Sequence, residues 1–292
     1  MGQDSDNTAG GGATIEVAEG SGVCFGVRRA LELAERAIEG GEAVYCLGPL
    51  IHNPQEVARL AGKGFRVIES LDQAAGGGSL LIRSHGLQPA VVAEARRRGL
   101  HILDATCPLV RRGQTLAIEL QQAGYQVVVA GDVAHPEVVA IQGHAPAARV
   151  VSDIDEVGRL SLSGRVALVA QTTFSPEAFR RMAAELVGHD LQEVRVVNTI
   201  CAATVQRQLA AVALAARVDV MLVIGGRNSA NTNRLAERCA VQGVETHHVE
   251  QADEVQPAWL RGRRRVGVAA GASTPQWIIG AVCERIRALQ SR

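Results

Sequence analysis

The chain has 292 residues, of which 47% are hydrophobic and 21% charged, and its 30 basic residues balance 30 acidic ones. This balance gives no sign of nucleic acid or an anionic membrane as a partner, and no apolar run is long enough to cross a bilayer. The length predicts about two domains and also accommodates three small ones. Six cysteines in a long chain predict catalysis, metal binding or core packing rather than a disulfide framework.

The first thirteen residues, MGQDSDNTAGGGA, are polar and glycine-rich. They lack the basic start and the apolar stretch of a signal peptide. We therefore expect residues 1–13 to form a disordered leader, and we expect the protein to be cytoplasmic.

After the leader, the chain contains three copies of one pattern. In each copy a cysteine leads into an amphipathic helix, and the helix leads into an apolar strand that ends at a glycine. The cysteines and their glycines, which follow at one shared spacing, are Cys24 with Gly48, Cys107 with Gly131, and Cys201 with Gly225. At a second shared distance from these cysteines, the three copies carry His52, His135 and Ser229, respectively.

The second half of each copy also repeats, with a strand, an acidic turn, a further apolar strand and a helix that has proline near its start. Ser175 and Thr274 are predicted N-caps of two of these helices. Alternating strands and helices predict parallel sheets with right-handed crossovers. We therefore predict three similar α/β domains, at residues 14–106, 107–200 and 201–292, in a pseudo-threefold ring.

The repeated cysteines predict a metal centre. If the three copies face a common axis, Cys24, Cys107 and Cys201 converge as thiolates that the adjacent helix N-termini stabilise. Thiolates bind zinc or iron–sulfur clusters, and three ligands leave one metal position open to substrate. The alternative is three thiols in an ordinary core. The cysteines without counterparts in the repeat are predicted core residues: Cys46, Cys239 and Cys283.

The predicted strand-end loops also carry neutral or weakly basic hydrogen-bond donors. They are His52, His85, Ser229, Asn231 and Ser273. Loops that lead into helix N-termini bind phosphate groups without Lys or Arg. The group as a whole therefore predicts an anion site, although each residue taken singly also fits a local capping role.

Glu137 is the only carboxylate among the predicted strand-end residues. It lies beside His135, and the predicted ring brings Thr172 near to it. In a dry site the pKa of a carboxylate rises, so that it can serve as a general acid. The alternative is a glutamate in the first turn of a helix, which stabilises that helix.

Eight segments, taken in order, resemble one known family: GVCFGVRRA at 22–30, HN at 52–53, SHG at 84–86, ATCPLV at 105–110, AHPEV at 134–138, QTT at 171–173, NSANTNRL at 228–235 and AGAST at 270–274. They resemble the LytB family of 4-hydroxy-3-methylbut-2-enyl diphosphate reductases, and the resemblance covers nearly all of the chain after the leader. It implies three α/β domains around a [4Fe–4S] cluster held by Cys24, Cys107 and Cys201.

The resemblance also implies a reaction. The family removes the allylic hydroxyl of its substrate with two electrons and two protons, in the last step of the methylerythritol phosphate route to isoprenoids. The products are isopentenyl diphosphate, dimethylallyl diphosphate and water. By resemblance, iron acts on the hydroxyl as a Lewis acid, His135 and Thr172 line the hydroxyl end, and Glu137 delivers protons. The residues implied to hold the diphosphate are His52, His85, Ser229, Asn231 and Ser273.

The source of electrons follows from the same resemblance. The chain has no GxGxxG and no P-loop motif. The resemblance therefore implies a separate ferredoxin or flavodoxin that docks transiently near the cluster.

Two positions depart from the family pattern. Ala230 replaces the second of two adjacent serines, which removes one diphosphate donor and leaves Thr232 or backbone N–H groups to compensate. Gln206 stands where asparagine is common.

The closest alternative function is a quinolinate synthase-like enzyme, which uses a cluster to condense and dehydrate without net reduction. An iron–sulfur sensor without turnover is another alternative, and the His-Pro-Glu, QTT and NSANTN segments favour the reductase over both.

Overall fold

The structure is a computed structural model that describes residues 13–75 and 77–291. Residues 1–12 of the predicted leader lie outside the described residues, and Ala13 packs against a hydrophobic core. Among the described residues, no helix combines the length and the apolar character that a membrane span requires.

Short strands and helices alternate along the described chain. The strands are β1 (Thr14–Val17), β2 (Val44–Leu47), β3 (Phe65–Ile68), β4 (Ser79–Ile82), β5 (His101–Asp104), β6 (Gln126–Ala130), β7 (Arg149–Val151), β8 (Arg165–Ala170), β9 (Glu193–Val196), β10 (Val220–Ile224), β11 (Glu245–Val249) and β12 (Arg265–Ala270). The helices are α1 (Phe25–Glu39), α2 (Pro54–Gly62), α3 (Pro89–Arg97), α4 (Pro108–Gln122), α5 (Pro136–His144), α6 (Ile154–Arg159), α7 (Pro176–Val187), α8 (Ala202–Ala215), α9 (Ala230–Ala240), α10 (Pro257–Leu260) and α11 (Gln276–Gln290). Two short 3-10 helices occupy Leu71–Gln73 and Ala252–Glu254.

The strands form three four-stranded sheets in which every pairing is parallel. Their orders are β3-β2-β4-β5, β7-β6-β8-β9 and β1-β12-β10-β11. The predicted fold class, three similar α/β units with parallel sheets, is confirmed; their arrangement around a common centre stays a prediction. The central strands are buried on both faces, which is why they read as continuous apolar runs. In β10, for example, Leu222 and Val223 pack into two different hydrophobic cores.

Strand β1 lies in the third sheet, although the sequence analysis places its residues in the first domain. It pairs with β12, and it takes the place that β5 and β9 take beside β4 and β8. These three equivalent strands are the ones that lead into the three cysteines. The sequence analysis missed all three, because their residues are exposed or half-buried and do not form an apolar run.

By its internal contacts the chain divides into two compact units. One unit runs from Cys24 to Thr204 and contains the first two sheets. The other combines the segment up to Val23 with the chain from Val205 onward, and it contains the third sheet. The three predicted domain boundaries therefore stay a prediction.

Several local predictions are confirmed. Gly48, Gly131 and Gly225 each follow directly on a strand, and the cysteines predicted to lie in the core are buried. Ser175 caps α7, because its hydroxyl accepts a hydrogen bond of 3.3 Å from the N–H of Ala178. Thr274 does not cap α11; its hydroxyl donates instead to the carbonyl oxygen of Ile224 over 3.0 Å, and Pro275 takes the cap position.

Candidate active site

Each of the three repeated cysteines lies directly before a helix. Cys24 and Cys107 occupy the N-cap positions of α1 and α4, and Cys201 precedes α8. Neither Cys24 nor Cys107 uses its side chain to cap its helix. All three are free, partly buried thiols of one compact unit, so their sulfur atoms are available as ligands.

The three thiols lie close to one another. Burial raises the pKa of the Cys107 thiol, the backbone N–H groups of Leu109 and Val110 oppose that shift, and the charges of Cys24 and Cys201 raise the pKa further. The sequence analysis expected the helix N-terminus to favour the thiolate. For Cys107 the helix N–H groups do act in that direction, but burial outweighs them, so a bound metal is what would favour the thiolate here.

A glycine on α1 makes room for the Cys107 sulfur. A Cβ atom at Gly26 would lie 2.9 Å from the Sγ atom of Cys107 and 3.1 Å from its Cβ atom. Helix α1 therefore approaches Cys107 as closely as its backbone allows. The close approach of α1 and the three neighbouring free thiols, of which Cys24 and Cys107 do not cap their helices, fit these residues to a metal cluster.

Glu137 is a buried carboxyl group held by one residue of a neighbouring loop. The backbone N–H and the hydroxyl of Thr172 donate to Oε1 and Oε2 of Glu137, each over 2.7 Å. Burial raises the pKa of Glu137 to about 7, although the two hydrogen bonds from Thr172 lower it. Glu137 also lies in the first turn of α5, as the alternative interpretation requires, but its side chain is 2% exposed and bonded to Thr172. At neutral pH such a group can both hold and release a proton.

Backbone hydrogen bonds join these site residues to the cysteines. The N–H of Cys201 donates to the carbonyl oxygen of Thr172 over 2.8 Å. The N–H of Cys107 donates to the carbonyl oxygen of Ser84 over 3.0 Å, and Ser84 is the neighbour of His85.

Three histidines form a cluster in the same unit. The ring centroids of His52 and His85 lie 5.3 Å apart, and those of His85 and His135 also lie 5.3 Å apart. Nitrogen atoms of the three rings lie within 4.8 Å of one another. The Nδ1 atom of His135 accepts a hydrogen bond of 3.2 Å from the N–H of Glu137, which leaves Nε2 to carry the proton of a neutral ring.

Burial keeps all three histidines neutral at physiological pH. It lowers the pKa of His135 to about 4, that of His85 well below its ordinary value, and that of His52 to a smaller extent. The Nδ1 atom of His85 is buried without a hydrogen-bond partner among the described residues. The cluster can therefore offer N–H donors to a ligand, and its nearest cation, Arg83, makes an anion the better match.

Arg83 is a further residue of the site that was not predicted from the sequence. This residue follows β4, is partly buried, and carries a positive charge that lowers the pKa of His52, His85 and His135. Its position two residues before His85 in the RSHG segment was the available signal. Arginines at strand ends usually face solvent, and only the three-dimensional structure shows this one beside the histidines.

The other compact unit holds the remaining predicted donors. Ser229 caps α9 and accepts a hydrogen bond of 3.3 Å from the N–H of Thr232, while Asn231 lies in the first turn of the same helix. Ser273 follows β12, the neighbour of β10 in the sheet. These three residues therefore lie at the carboxyl ends of adjacent strands, as predicted.

The structure thus divides the predicted site residues between the two units. The residues of the unit from Cys24 to Thr204 are Cys24, His52, His85, Cys107, His135, Glu137, Thr172 and Cys201. The residues of the other unit are Ser229, Asn231 and Ser273. That both groups act on one ligand stays a prediction.

Comparisons with known proteins identify the family. The sequence profile described as LytB protein matches residues 15–287. A relative from Geobacter metallireducens named 4-hydroxy-3-methylbut-2-enyl diphosphate reductase is 46% identical over 278 residues, which cover 95% of this chain and 98% of the relative. A relative of the same name from Aquifex aeolicus is 43% identical over 278 residues, with 94% and 96% covered.

Solved structures agree with this similarity. A structure described as (E)-4-hydroxy-3-methyl-but-2-enyl diphosphate reductase, the terminal enzyme of the non-mevalonate pathway, matches with a TM-score of 0.74 and 43% identity, and the match covers 94% of this chain and 99% of that one. The E-1-hydroxy-2-methyl-but-2-enyl-4-diphosphate reductase from Plasmodium falciparum matches with a TM-score of 0.86 at 23% identity, covering 94% and 87%. At that identity the second match supports the fold alone.

Proposed function

This chain belongs to the LytB protein family, and we propose from that membership and from its site that it is a 4-hydroxy-3-methylbut-2-enyl diphosphate reductase. The reaction takes the allylic alcohol diphosphate, two electrons and two protons. The carbon–oxygen bond of the hydroxyl breaks, and isopentenyl diphosphate, dimethylallyl diphosphate and water are formed.

One observation carries the proposal. The unit from Cys24 to Thr204 combines three neighbouring thiols, a cluster of neutral histidines and the buried Glu137, whose pKa is raised to about 7 by burial. A reductive dehydroxylation needs an electron source, an anion site and a proton donor, and these three groups match the three requirements.

Cys24, Cys107 and Cys201 are the residues that would hold an iron–sulfur cluster, of the [4Fe–4S] type. When bound, it supplies the electrons one at a time and a Lewis-acidic iron. Two observations support these residues as ligands. Gly26 leaves space beside the Sγ atom of Cys107, and neither Cys24 nor Cys107 caps its helix with its side chain.

The histidine cluster would bind the diphosphate. Neutral His52 and His85 donate N–H groups to it, while His135 would line the hydroxyl end of the substrate. Arg83 adds a positive charge without a carboxylate partner among the described residues. Ser229, Asn231 and Ser273, in the other unit, stay predicted diphosphate ligands. Binding the diphosphate away from the breaking bond would orient the substrate at the reacting end.

Glu137 would deliver protons at the hydroxyl end. Its carboxyl group is protonated for about half of the molecules near pH 7, since its pKa is raised to about 7. Thr172 fixes both carboxyl oxygens through hydrogen bonds of 2.7 Å, so the group can face the substrate in a single orientation. Proton transfer to the departing hydroxyl then releases water.

Electrons would come from a separate ferredoxin or flavodoxin, and the surface near Cys107 supports this. A cavity of about 560 Å³ opens beside it, lined by Arg29, Thr106, Pro108, Arg111, Arg112, Thr115, Leu116 and Glu119. Phe25 and Leu109, which follow Cys24 and Cys107 closely, are 70% and 42% exposed. Exposed apolar side chains among basic ones suit the acidic surface of a small electron carrier.

Two arginines near this surface differ from their neighbours. Arg29 and Arg111 bond to Asp104, whereas Arg28 and Arg112, on α1 and α4, do not. Both are exposed, and neither forms an ion pair with another described residue. Their positions fit attraction of an acidic partner.

An anaerobic assay tests the proposed function. Reconstituted protein, given the hydroxylated allylic diphosphate and reduced methyl viologen, should form both product diphosphates and water. It should be brown and contain iron and sulfide, whereas Cys107→Ser should lose most of both. Colourless, iron-free protein after careful reconstitution would refute the cluster, and a brown protein without turnover would refute the reaction.

Family membership favours the reductase over the two alternatives from the sequence. The cytoplasmic location stays a prediction.

A further inference from the structure

Arg83 is a partly buried cation without a counter-charge. Its Nε atom is buried and has no hydrogen-bond partner among the described residues. In the described part of the chain, no carboxylate lies within ion-pair distance of its guanidinium group. Burial lowers the pKa of Arg83, but an arginine in a protein stays charged. An unpaired charge in such a position is costly, so the site favours an incoming anion.

Gly48 makes the room that Arg83 occupies. A Cβ atom at Gly48 would lie 3.1 Å from Nη1 and 3.6 Å from Cζ of Arg83. Gly48 also has a φ of 72°, which other residues rarely adopt. It follows β2, and Arg83 follows the adjacent strand β4, so the guanidinium group lies at the carboxyl ends of these strands. The loops that carry His52 and His85 begin at the same ends.

The groups around Arg83 do not neutralise it. Burial raises the pKa of the neighbouring Cys46 thiol to about 12, so this thiol stays protonated. The three histidines are neutral because burial lowers the pKa of each, and the charge of Arg83 adds to that effect. Asp132 is exposed and acts on His135 by raising its pKa. Arg83 therefore stays charged beside the histidine cluster, with no carboxylate bonded to its guanidinium group among the described residues.

This charge also decides between two possible ligands. Three histidine nitrogens within 4.8 Å of one another match the ligand set of a metal ion. A fixed cation beside them repels a metal ion and attracts an anion. The cluster is therefore better suited to a diphosphate than to zinc.

We propose that Arg83 supplies the fixed positive charge of the diphosphate site, with Gly48 as the residue that lets it reach the histidine cluster. The inference rests on the proposed function and adds to it an anion-binding determinant. Neutral histidines donate hydrogen bonds to the diphosphate, and Arg83 balances its charge.

Inorganic pyrophosphate tests this inference without the reaction. Its binding to the reconstituted full-length protein is measured by calorimetry at pH 8, at a low and a high salt concentration. At low salt, Arg83→Gln should bind about tenfold more weakly than the wild type, while Arg83→Lys should keep most of the affinity. Arg66→Gln is the matched control, because Arg66 is an exposed arginine of the same sheet whose guanidinium lies 5.9 Å from the Tyr45 ring centroid.

The lysine substitution separates a charge effect from a merely structural one. Arg83→Lys keeps the positive charge, so it should bind pyrophosphate much more tightly than Arg83→Gln does. Because salt screens charge, added salt should weaken binding by the wild type more than binding by Arg83→Gln. Wild-type affinity in Arg83→Gln, or equal deficits in Arg83→Gln and Arg83→Lys at both salt concentrations, would overturn the inference.

Turnover on the same preparations distinguishes the two proposals. If wild-type protein reduces the substrate and Arg83→Gln has an unchanged KM, the role of Arg83 fails and the proposed function stands. If wild-type protein binds pyrophosphate in an Arg83-dependent way but does not reduce the substrate, the reaction fails and the role of Arg83 stands.

Discussion

The backbone N–H of Cys201 donates to the carbonyl oxygen of Thr172 over 2.8 Å. The same threonine donates its own N–H and its hydroxyl to Glu137. A proposed cluster ligand and the proposed proton donor are thus joined through one residue, whose backbone carbonyl oxygen bonds to Cys201 and whose backbone N–H bonds to Glu137.

Glu137→Gln should retain iron and pyrophosphate binding but lose turnover by roughly a hundredfold or more, because glutamine cannot donate a proton as an acid does. In the wild type, turnover should fall as pH rises above about 7, where Glu137 loses its proton. That alkaline decrease should be absent from the residual activity of the variant. Steady-state rates with reduced methyl viologen between pH 6 and pH 9 measure both effects.

Glu185→Gln is the matched control for this substitution, since Glu185 is an exposed glutamate of α7. It should behave as the wild type. Wild-type turnover in Glu137→Gln would remove Glu137 from the proton path.

Thr172→Val should shift the alkaline decrease in turnover to higher pH. The side-chain hydrogen bond from Thr172 lowers the pKa of Glu137, so its loss raises that pKa above its present value of about 7. Losing a hydrogen bond to a charged group shifts the pKa of that group by roughly one unit or more. Thr172→Ser, which keeps the hydroxyl, should retain the wild-type profile. Identical profiles for the valine and serine substitutions would contradict the assignment.

Gly26→Ala should impair cluster retention. The new methyl group would lie 2.9 Å from Cys107 Sγ, so the sulfur must move from the position that the fold gives it. Overpacking of this kind costs about 1–3 kcal/mol. Iron and sulfide content after anaerobic reconstitution measures the effect. Gly62→Ala, on α2 with no neighbouring atom within 4 Å, should keep the wild-type content; equal content in both variants would show that the close approach is unimportant.

Arg112→Glu should weaken electron delivery by a protein donor. Turnover supported by reduced ferredoxin should fall about tenfold at low ionic strength, because steering by charge is lost, and the difference should shrink as salt is added. Turnover with reduced methyl viologen, which needs no docking surface, should not change. Arg96→Glu, an exposed arginine of α3 in the same unit, is the control. If Arg112→Glu loses turnover equally with reduced ferredoxin and with reduced methyl viologen, Arg112 does not act in docking of the protein donor.

The repeat made much of the fold predictable from the sequence. Equivalent positions of Cys24, Cys107 and Cys201 indicate equivalent structural surroundings, and apolar runs identify the buried central strands. The edge strands were missed, because a strand such as β9, with mostly exposed residues, has no apolar pattern to reveal it. The pairing of β1 with β12 was not predicted either, since pairing between distant segments leaves no local signal.

The same contrast holds for the site. Glu137 was predicted as a proton donor, and its burial and its contacts with Thr172 are now explicit. Arg83 was not predicted, because its role depends on the space left by Gly48 on a neighbouring strand. The raised pKa of Cys107 was also unexpected, since a helix N-terminus is visible in a sequence and the extent of burial is not.

The pairing of β1 with β12 has a consequence for synthesis of the chain. Thr14–Val17 is synthesised long before its partner strand, Arg265–Ala270. The sheets of β2–β5 and β6–β9 can each form as their segments appear, whereas the remaining sheet must wait for β12. The nascent chain therefore carries β1 unpaired until β12 has been made, and closing that long loop is the slow, late event of its maturation.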